Sequence, residues 1–397
     1  MLRRQSELYN ATFALGFAYN FFMALNFTNN AIYPLYVKQL GGTAETVGYF
    51  MGVASLAAII TKPLIGYMLD RIGVKPVLLL GSLTITLPSL GYLALINQGL
   101  NEWVWLLRLV HGFGFGAHFS AFFTLAAQVA PSHRRNEAIA MFGFSGLMAN
   151  LIGPFIGELV YDRYGLPPFF LLVTGFGLVG VVLVFFLKLR PGNGSRTTPT
   201  LRGAFALLRA RNLMLVYLLA LLLSICYSSS QFFLSPHAEE RGIGNFGLYF
   251  TGYAIAGMSI RLIGRSWGDR FGVRRLMIPA FLLYASGMFT IYFSSTTAML
   301  FVAGLFSGSA HGLAFPAVNA LGYSRAPEGY SGSVIAFLTG MMDVGSVLTA
   351  GVLGTVAEYY GYNSAFLIST FAGLSASFAV LFSVLRNPER VQTVGSK

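Results

Sequence analysis

The chain has one cysteine, Cys226, in 397 residues, and that scarcity excludes an intramolecular disulfide and any cysteine-based metal cluster. It also lacks the HExxH and GxxxxGK[ST] patterns, so metalloprotease and nucleotide-hydrolase chemistry lose their usual markers. Charge is sparse as well. Only 10% of residues are Asp, Glu, Lys or Arg, while 55% are hydrophobic, too few polar side chains to cover a water-soluble globule. No segment-by-segment alternation of apolar and polar residues dominates, which excludes the pattern of a membrane β-barrel.

What is present is length and apolarity. Mean hydropathy is +0.66 and 36 residues are Phe. Runs such as 77–96 and 169–187 approach the ~20 apolar residues that a helix needs to cross a hydrocarbon core of about 30 Å. Twelve such helices are expected, at roughly 11–37, 46–69, 76–96, 103–129, 137–160, 168–188, 211–234, 245–267, 275–295, 298–323, 331–356 and 363–385. The chain is therefore an all-α integral membrane protein with several spans. The opening MLRRQSELYN is basic like a signal peptide, but the apolar run behind it is too long and lacks a small-residue cleavage site, so it is expected to be the first span.

Basic residues test this alternation independently, because short cytoplasmic loops carry the positive excess. With the amino terminus inside, Lys38, Arg163 and Arg241 fall outside and Arg108 falls within a helix; all the other Lys and Arg among the 26 fall on the cytoplasmic side or at cytoplasmic helix ends. Both termini are then cytoplasmic. The net charge of +12, confined to one face, favours orientation and contact with anionic lipids over nucleic acid. PGNGSRTTPT (191–200) is the longest polar Gly/Pro/Ser/Thr stretch and reads as a linker. LRGAFALLRAR (201–211) behind it has the face pattern of an interfacial helix. The expected organisation is a six-helix half over 1–189, a linker over 190–210 and a second six-helix half over 211–397.

A repeat supports two halves. Gly48, Asp70, Arg71, Gly73, Val74 and Lys75 match Gly247, Asp269, Arg270, Gly272, Val273 and Arg274 at an offset of 199, and His111-Gly112 matches His311-Gly312 at 200. Such repeats in transporters enclose a site near the bilayer midplane. GYMLDRIGVK (66–75) resembles the G-x-L-A-D-R-x-G-R-K loop signature of the major facilitator superfamily, departing at Met68, Leu69 and Val74. RLVHGFGFGA (108–117) is similar to that family's R-x-x-Q-G-x-G, with His111 in place of Gln, and GLMANLIGPFIGE (146–158) resembles the Gly-Pro signature of its antiporter branch.

The resemblance implies a monomeric secondary transporter in a bacterial inner membrane, with no enzymatic activity and no cofactor. Its first, fourth, seventh and tenth helices would line a central cavity. Proton-coupled efflux of small amphiphilic molecules is the implied activity; a facilitator or importer of a polar or anionic metabolite, or a lipid flippase of the same fold, stays open. The polar stripes place substrate contacts at Asn20, Asn26, Asn30, Arg108, His111, Tyr227, Gln231, His311 and Asn319, each of which could alternatively join helices. Arg108 and Asp343 are charges within spans and would each cost ~2.5 to 3.5 kcal/mol facing lipid, so both should face inward. Proton-coupling candidates are Asp343, Arg108, His111, His118 and Glu158. Gly66, Asp70, Arg71, Gly73, Lys75, Asp269, Arg270, Gly272 and Arg274 form the expected cytoplasmic gates. There Asp70 pairs in one arrangement of the halves and separates in the other, or else the charges form an ordinary solvated cluster.

Overall fold

A computed structural model describes residues 10–129, 135–189, 207–264, 267–327 and 331–386. The described residues are helices and short connectors. α1 runs Ala11–Thr28, through a 3-10 turn Asn29–Ile32, into Tyr33–Gln39. The turn has a local cause, since Pro34 has no N–H to donate to the carbonyl four residues earlier. There follow α2 (Ala44–Ile72), α3 (Val74–Ala94), α4 (Glu102–Val129), α5 (Arg135–Tyr164) and α6 (Leu166–Phe186).

The second set is α7 (Arg211–Glu240), α8 (Gly247–Ile263), α9 (Val273–Tyr292), α10 (Thr297–Arg325), α11 and α12 (Tyr362–Arg386). α11 joins Ser331–Leu348 to Gly354–Tyr360 through a π turn, Thr349–Leu353. A short helix, Trp267–Phe271, lies between α8 and α9 in the chain. Among the described residues ten helices are long and apolar enough to cross a membrane. The other two of the expected twelve are α1, split into pieces of 18 and 7 residues, and α8, with 17. Of the linker, Leu207–Arg209 forms a described turn and Arg211 opens α7; residues 201–206 of the expected interfacial helix lie outside the described residues.

Helix pairing is the same in both sixes. In the first, α3 packs on α4 and α6, α2 on α4, and α1 on α5 and α6; in the second, α9 packs on α10 and α12, α8 on α10, and α7 on α11 and α12. Between the sixes, α5 packs on α8 and α2 on α11, again an equivalent pair. One feature distinguishes the two ends of the bundle. At the end that carries the connectors 40–43, 241–246 and 361, a single apolar core runs from Tyr33, Tyr36, Phe50 and Phe170 into Leu219, Phe233, Ala350 and Tyr362. At the end nearer residues 10, 189 and 386, the first six helices keep a separate core around Phe13, Ile65, Val74, Leu125, Phe142 and Leu187. The sixes therefore share a core at one end and not at the other.

Gly73 and Gly272 join α2 to α3 and the short helix Trp267–Phe271 to α9, both at φ 85°, with ψ 175° and 132°. That region is hostile to a Cβ, so the glycines are required by the reversal itself. At Gly66 nothing lies within 4 Å of where its Cβ would be, so no neighbouring helix approaches it in this arrangement. Gly73→Ala is accordingly expected to cost ~1–3 kcal/mol of strain and to lower the melting temperature in detergent, whereas Gly66→Ala leaves it unchanged.

Candidate functional site

The seam between the sixes is polar and one-sided. At the shared-core end Lys38 Nζ meets Glu239 Oε2 at 2.7 Å and lies over the Tyr362 ring at 6.0 Å. Glu158 of α5, 2% exposed, accepts the N–H of Phe246 at 2.7 Å and of Gly247 at 2.5 Å. The first turn of a helix has N–H groups with no internal partner and a positive dipole end; the carboxylate of one half caps α8 of the other. Glu45 receives the Thr355 hydroxyl at 3.3 Å, and its own N–H donates to Glu358 at 3.2 Å. Gly48 and Gly247, equivalent in the repeat, both sit here. A Cβ on Gly48 would strike the Ala350 carbonyl, and one on Gly247 would come 2.7 Å from the Phe155 Cα.

Deeper along the seam, Thr251 donates to the Leu151 carbonyl at 2.8 Å and Ser55 meets Ser346 at 2.9 Å. Deeper still, Lys62 Nζ donates to Asp343 Oδ2. Lys62 stands about 15 Å inside the end of α2, given its ten-residue distance from Ile72. Sequence position assigned it to the cytoplasmic side with other basic residues; the structure corrects this and makes it the partner of Asp343.

In the first half Arg108 is 1% exposed. Its Nε donates to the Phe50 carbonyl at 2.9 Å and one terminal nitrogen donates to Asn30 Oδ1 at 3.0 Å, while its plane lies 4.5 Å from the Phe50 ring centre. It thus fastens the 3-10 turn of α1 to α2 and α4 by charge-assisted bonds and cation–π contact. The alternative left open by the sequence, bonding to backbone carbonyls and a neighbouring polar group, is what this arrangement contains. His111 is enclosed by Tyr33, Tyr92 and Phe115, with centroids 5.6, 6.2 and 4.5 Å away, and neither ring nitrogen has a hydrogen-bond partner. His118 Nδ1 meets the Tyr19 hydroxyl at 2.8 Å, which reaches Ser82 at 3.0 Å. Asn20 and Asn26 donate to the Phe142 and Val173 carbonyls at 3.0 and 2.8 Å, joining α1 to α5 and α6.

In the second half His311 Nδ1 meets the Tyr284 hydroxyl at 2.9 Å. Its ring stacks on Phe315 at 5.3 Å and neighbours Tyr227 at 5.4 Å and Tyr253 at 5.7 Å. Tyr227, Gln231, His311, Phe315 and Asn319 are each half-buried, and Asn319 donates to the Phe315 carbonyl at 2.8 Å. Expected substrate contacts are thus divided: Asn30, Arg108 and His111 come together in a buried cluster, Tyr227 and His311 in a half-buried one, and Asn20 and Asn26 in neither.

The expected gates lie at the end without the shared core. Arg71 donates to Tyr67 of its own helix. Lys75 donates to the Phe185 and Leu187 carbonyls at 2.8 and 2.9 Å, capping α6 within its own half. Arg270 lies 5.2 Å from the Phe271 ring, and Arg274 lies in the first turn of α9. The side chains of Asp70 and Asp269 lie outside the described residues. Sequence reasoning overlooked Lys62 and Arg261 as interior charges, although they are themselves 199 positions apart; that spacing was the available signal.

Among the described residues, twelve helices in two equally wired sixes that share a core at one end define the class of a multi-span membrane transporter. The Major Facilitator Superfamily profile matches residues 15–265 and 244–397, and the chain belongs to that family. It is 26% identical over 375 residues to multidrug resistance protein MdtG of Serratia proteamaculans, covering 90% of each chain. It is 25% identical over 374 residues to multi-drug resistance efflux pump PmrA of Streptococcus pneumoniae serotype 4, covering 89% of this chain and 90% of that one. Its fold is similar to the crystal structure of the nucleoside transporter NupG, with a TM-score of 0.75 over 94% of this chain and 99% of that one, at 15% identity. A POT family transporter in complex with a thioalcohol-conjugated peptide gives 0.76 over 95% and 96%, at 14% identity.

Removing the Glu158 cap leaves the first N–H groups of α8 without their partner in the seam. With Cys226 replaced by Ser, Glu158→Ala in a Thr251→Cys background should raise labelling by a membrane-impermeant maleimide added from the shared-core side several-fold; Glu158→Asp should raise it less.

Proposed function

We propose that this chain is a secondary active transporter that exports amphiphilic small molecules in exchange for protons. The observation that carries this reading is the Lys62–Asp343 pair at the inner limit of a seam whose other bonds are clustered toward one end. With the termini cytoplasmic, as the distribution of basic residues favours, this arrangement is sealed toward the outside and parts toward the cytoplasm. The efflux proteins among its relatives support the outward direction, and a multi-pass protein of a bacterial inner membrane would be placed for it. The reading requires a small-molecule substrate, protons and lipid, and a single copy of the chain.

Mechanistically, Asp343 is the proton carrier and Lys62 its competing partner. While the halves close the outer end, the ammonium neutralises the carboxylate, which makes the charge tolerable within the bilayer. When α2 and α11 separate, Asp343 loses that partner, faces the outer medium and takes up a proton. The reverse movement returns a neutral Asp343 to the inner side, where Lys62 displaces the proton. Asp70 with Arg71 and Asp269 with Arg270 would hold the cytoplasmic end in the other arrangement. One proton moving down ~100 mV and one pH unit supplies about 3.7 kcal/mol, enough for roughly a 500-fold gradient.

The wall chemistry suits an amphiphile. Phe27 and Phe119 pack edge to face at 5.3 Å with Phe119 exposed, while the opposite half offers Tyr227, Gln231, His311 and Asn319. In proteoliposomes Asp343→Asn should abolish pH-driven accumulation and retain substrate exchange, and the Lys62→Asp, Asp343→Lys double variant should recover folding lost in either single reversal. Flux that ignores the pH gradient in the unaltered protein would instead identify a facilitator.

A further inference from the structure

The repeat carries a cation in both halves and its anion in only one. Lys62 in α2 corresponds to Arg261 in α8, but α5 and α11 with their closing glycines Gly165 and Gly361 run in step at an offset of 196, so the position in α5 that corresponds to Asp343 is Leu147. Among the described residues the ion pairs are Lys38–Glu239 and Lys62–Asp343, so Arg261 has no carboxylate there. Its Nε is buried without a hydrogen-bond partner, an arrangement that costs free energy unless something else accepts from it. Arg261 is one turn beyond Gly257, where a Cβ would lie 3.3 Å from the Gly308 carbonyl of α10 and 3.9 Å from the Leu147 side chain of α5. Arg261 thus lies on the face of α8 that meets α10 and, across the seam, α5. A Cβ on Gly312, the neighbour of His311 in α10, would lie 3.3 Å from the Gly257 Cα, and Tyr253, two turns before Arg261 in α8, has its ring 5.7 Å from that of His311, so Arg261 shares a helix face with the aromatic group formed by Tyr227, Tyr253, His311 and Phe315.

That group differs from its counterpart. His111 and its rings are fully buried and wrapped by protein, while Tyr227, His311 and Phe315 are half-buried. They lie on α7 and α10, which pack on each other, and keep surface that the surrounding protein does not cover. Of the charges along the seam, among the described residues, Lys62 is balanced by Asp343, Glu158 is taken by two N–H groups, and Arg261 is left over. A flat apolar ring surface beside an unbalanced, fork-shaped donor fits an aromatic body bearing a carboxylate, sulfonate or phosphate, which a guanidinium binds bidentately.

Building on the transporter reading above, we infer that Arg261 with Tyr227, His311 and Phe315 forms a subsite for the anionic group and adjoining ring of the substrate, so that this protein carries aromatic organic anions in preference to cations. Bound anion supplies for Arg261 what Asp343 supplies for Lys62.

The test uses matched sets on three aromatic frameworks, naphthalene, indole and biphenyl, each as carboxylate, carboxamide and methylammonium, with radiolabelled flux measured in proteoliposomes. The acids are expected to show saturable flux, the amides weaker flux and the ammonium compounds the least. Arg261→Gln should weaken the acids on the order of 10- to 100-fold in apparent KM while leaving the amides within about threefold, and Arg261→Lys should restore part of the loss; melting temperatures establish that each variant is folded. Preference for the ammonium compounds, or equal loss of acids and amides in Arg261→Gln, overturns the anion subsite and leaves the transporter reading intact. Saturable flux of none of the nine compounds through folded protein overturns both.

Discussion

Lys62 and Asp343 meet inside two different spans, in surroundings where either charge alone would cost ~2.5–3.5 kcal/mol against lipid. Neutralisation by a partner in the other half removes that cost only while the halves touch. The same logic governs the rest of the seam: Glu158 caps α8 from α5, Glu45 bridges to Thr355 and Glu358, and Lys38 reaches Glu239. Each is a bond that water can replace when the surfaces part, so closure can reverse without leaving buried groups unsatisfied. The glycines at 48 and 247 complement this by bringing backbones close at the seam, beside the apolar core that the two halves share there.

Duplication supplied the framework and divergence supplied the chemistry. Both sixes use the same helix pairs and the same positive-φ glycines at the first connector. Their centres differ. Arg108 and His111 are sealed among Tyr33, Phe50 and Tyr92, where they fix α1, α2 and α4 in place. His311 keeps company with half-buried rings and an incompletely bonded Arg261. A fully covered centre in the first half and a partly uncovered one in the second are the physical counterparts of that difference.

Helix count, order and the repeat were legible in the sequence because they rest on local apolar runs and on spacing. Arg108, His111 and His118 were legible as polar groups within a span, and helical periodicity, at spacings of three and seven residues, sets them near one side of α4. Their partners were not. Asn20 and Asn26 looked like a continuation of the polar stripe, yet each bonds to a carbonyl of α5 or α6, which only tertiary packing reveals. Lys62 was hidden by the rule that oriented the protein: a lysine in the cytoplasmic half of a helix reads as topology, and nothing local distinguishes one that meets a carboxylate of the other half. Glu158 was visible as a carboxylate near a span end, but the orphan N–H groups it caps are 88 residues away.

The central claim is that the two ends of the seam open in alternation. With Cys226 replaced by Ser, spin-label pairs at Tyr67 and Tyr323, and at Trp103 and Tyr360, would report the two ends by distance measurement. Changing pH and saturating with substrate should lengthen one distance as it shortens the other, and Asp343→Asn should hold both near one extreme. Distances that stay fixed, or that lengthen and shorten together, under all of these conditions would contradict it.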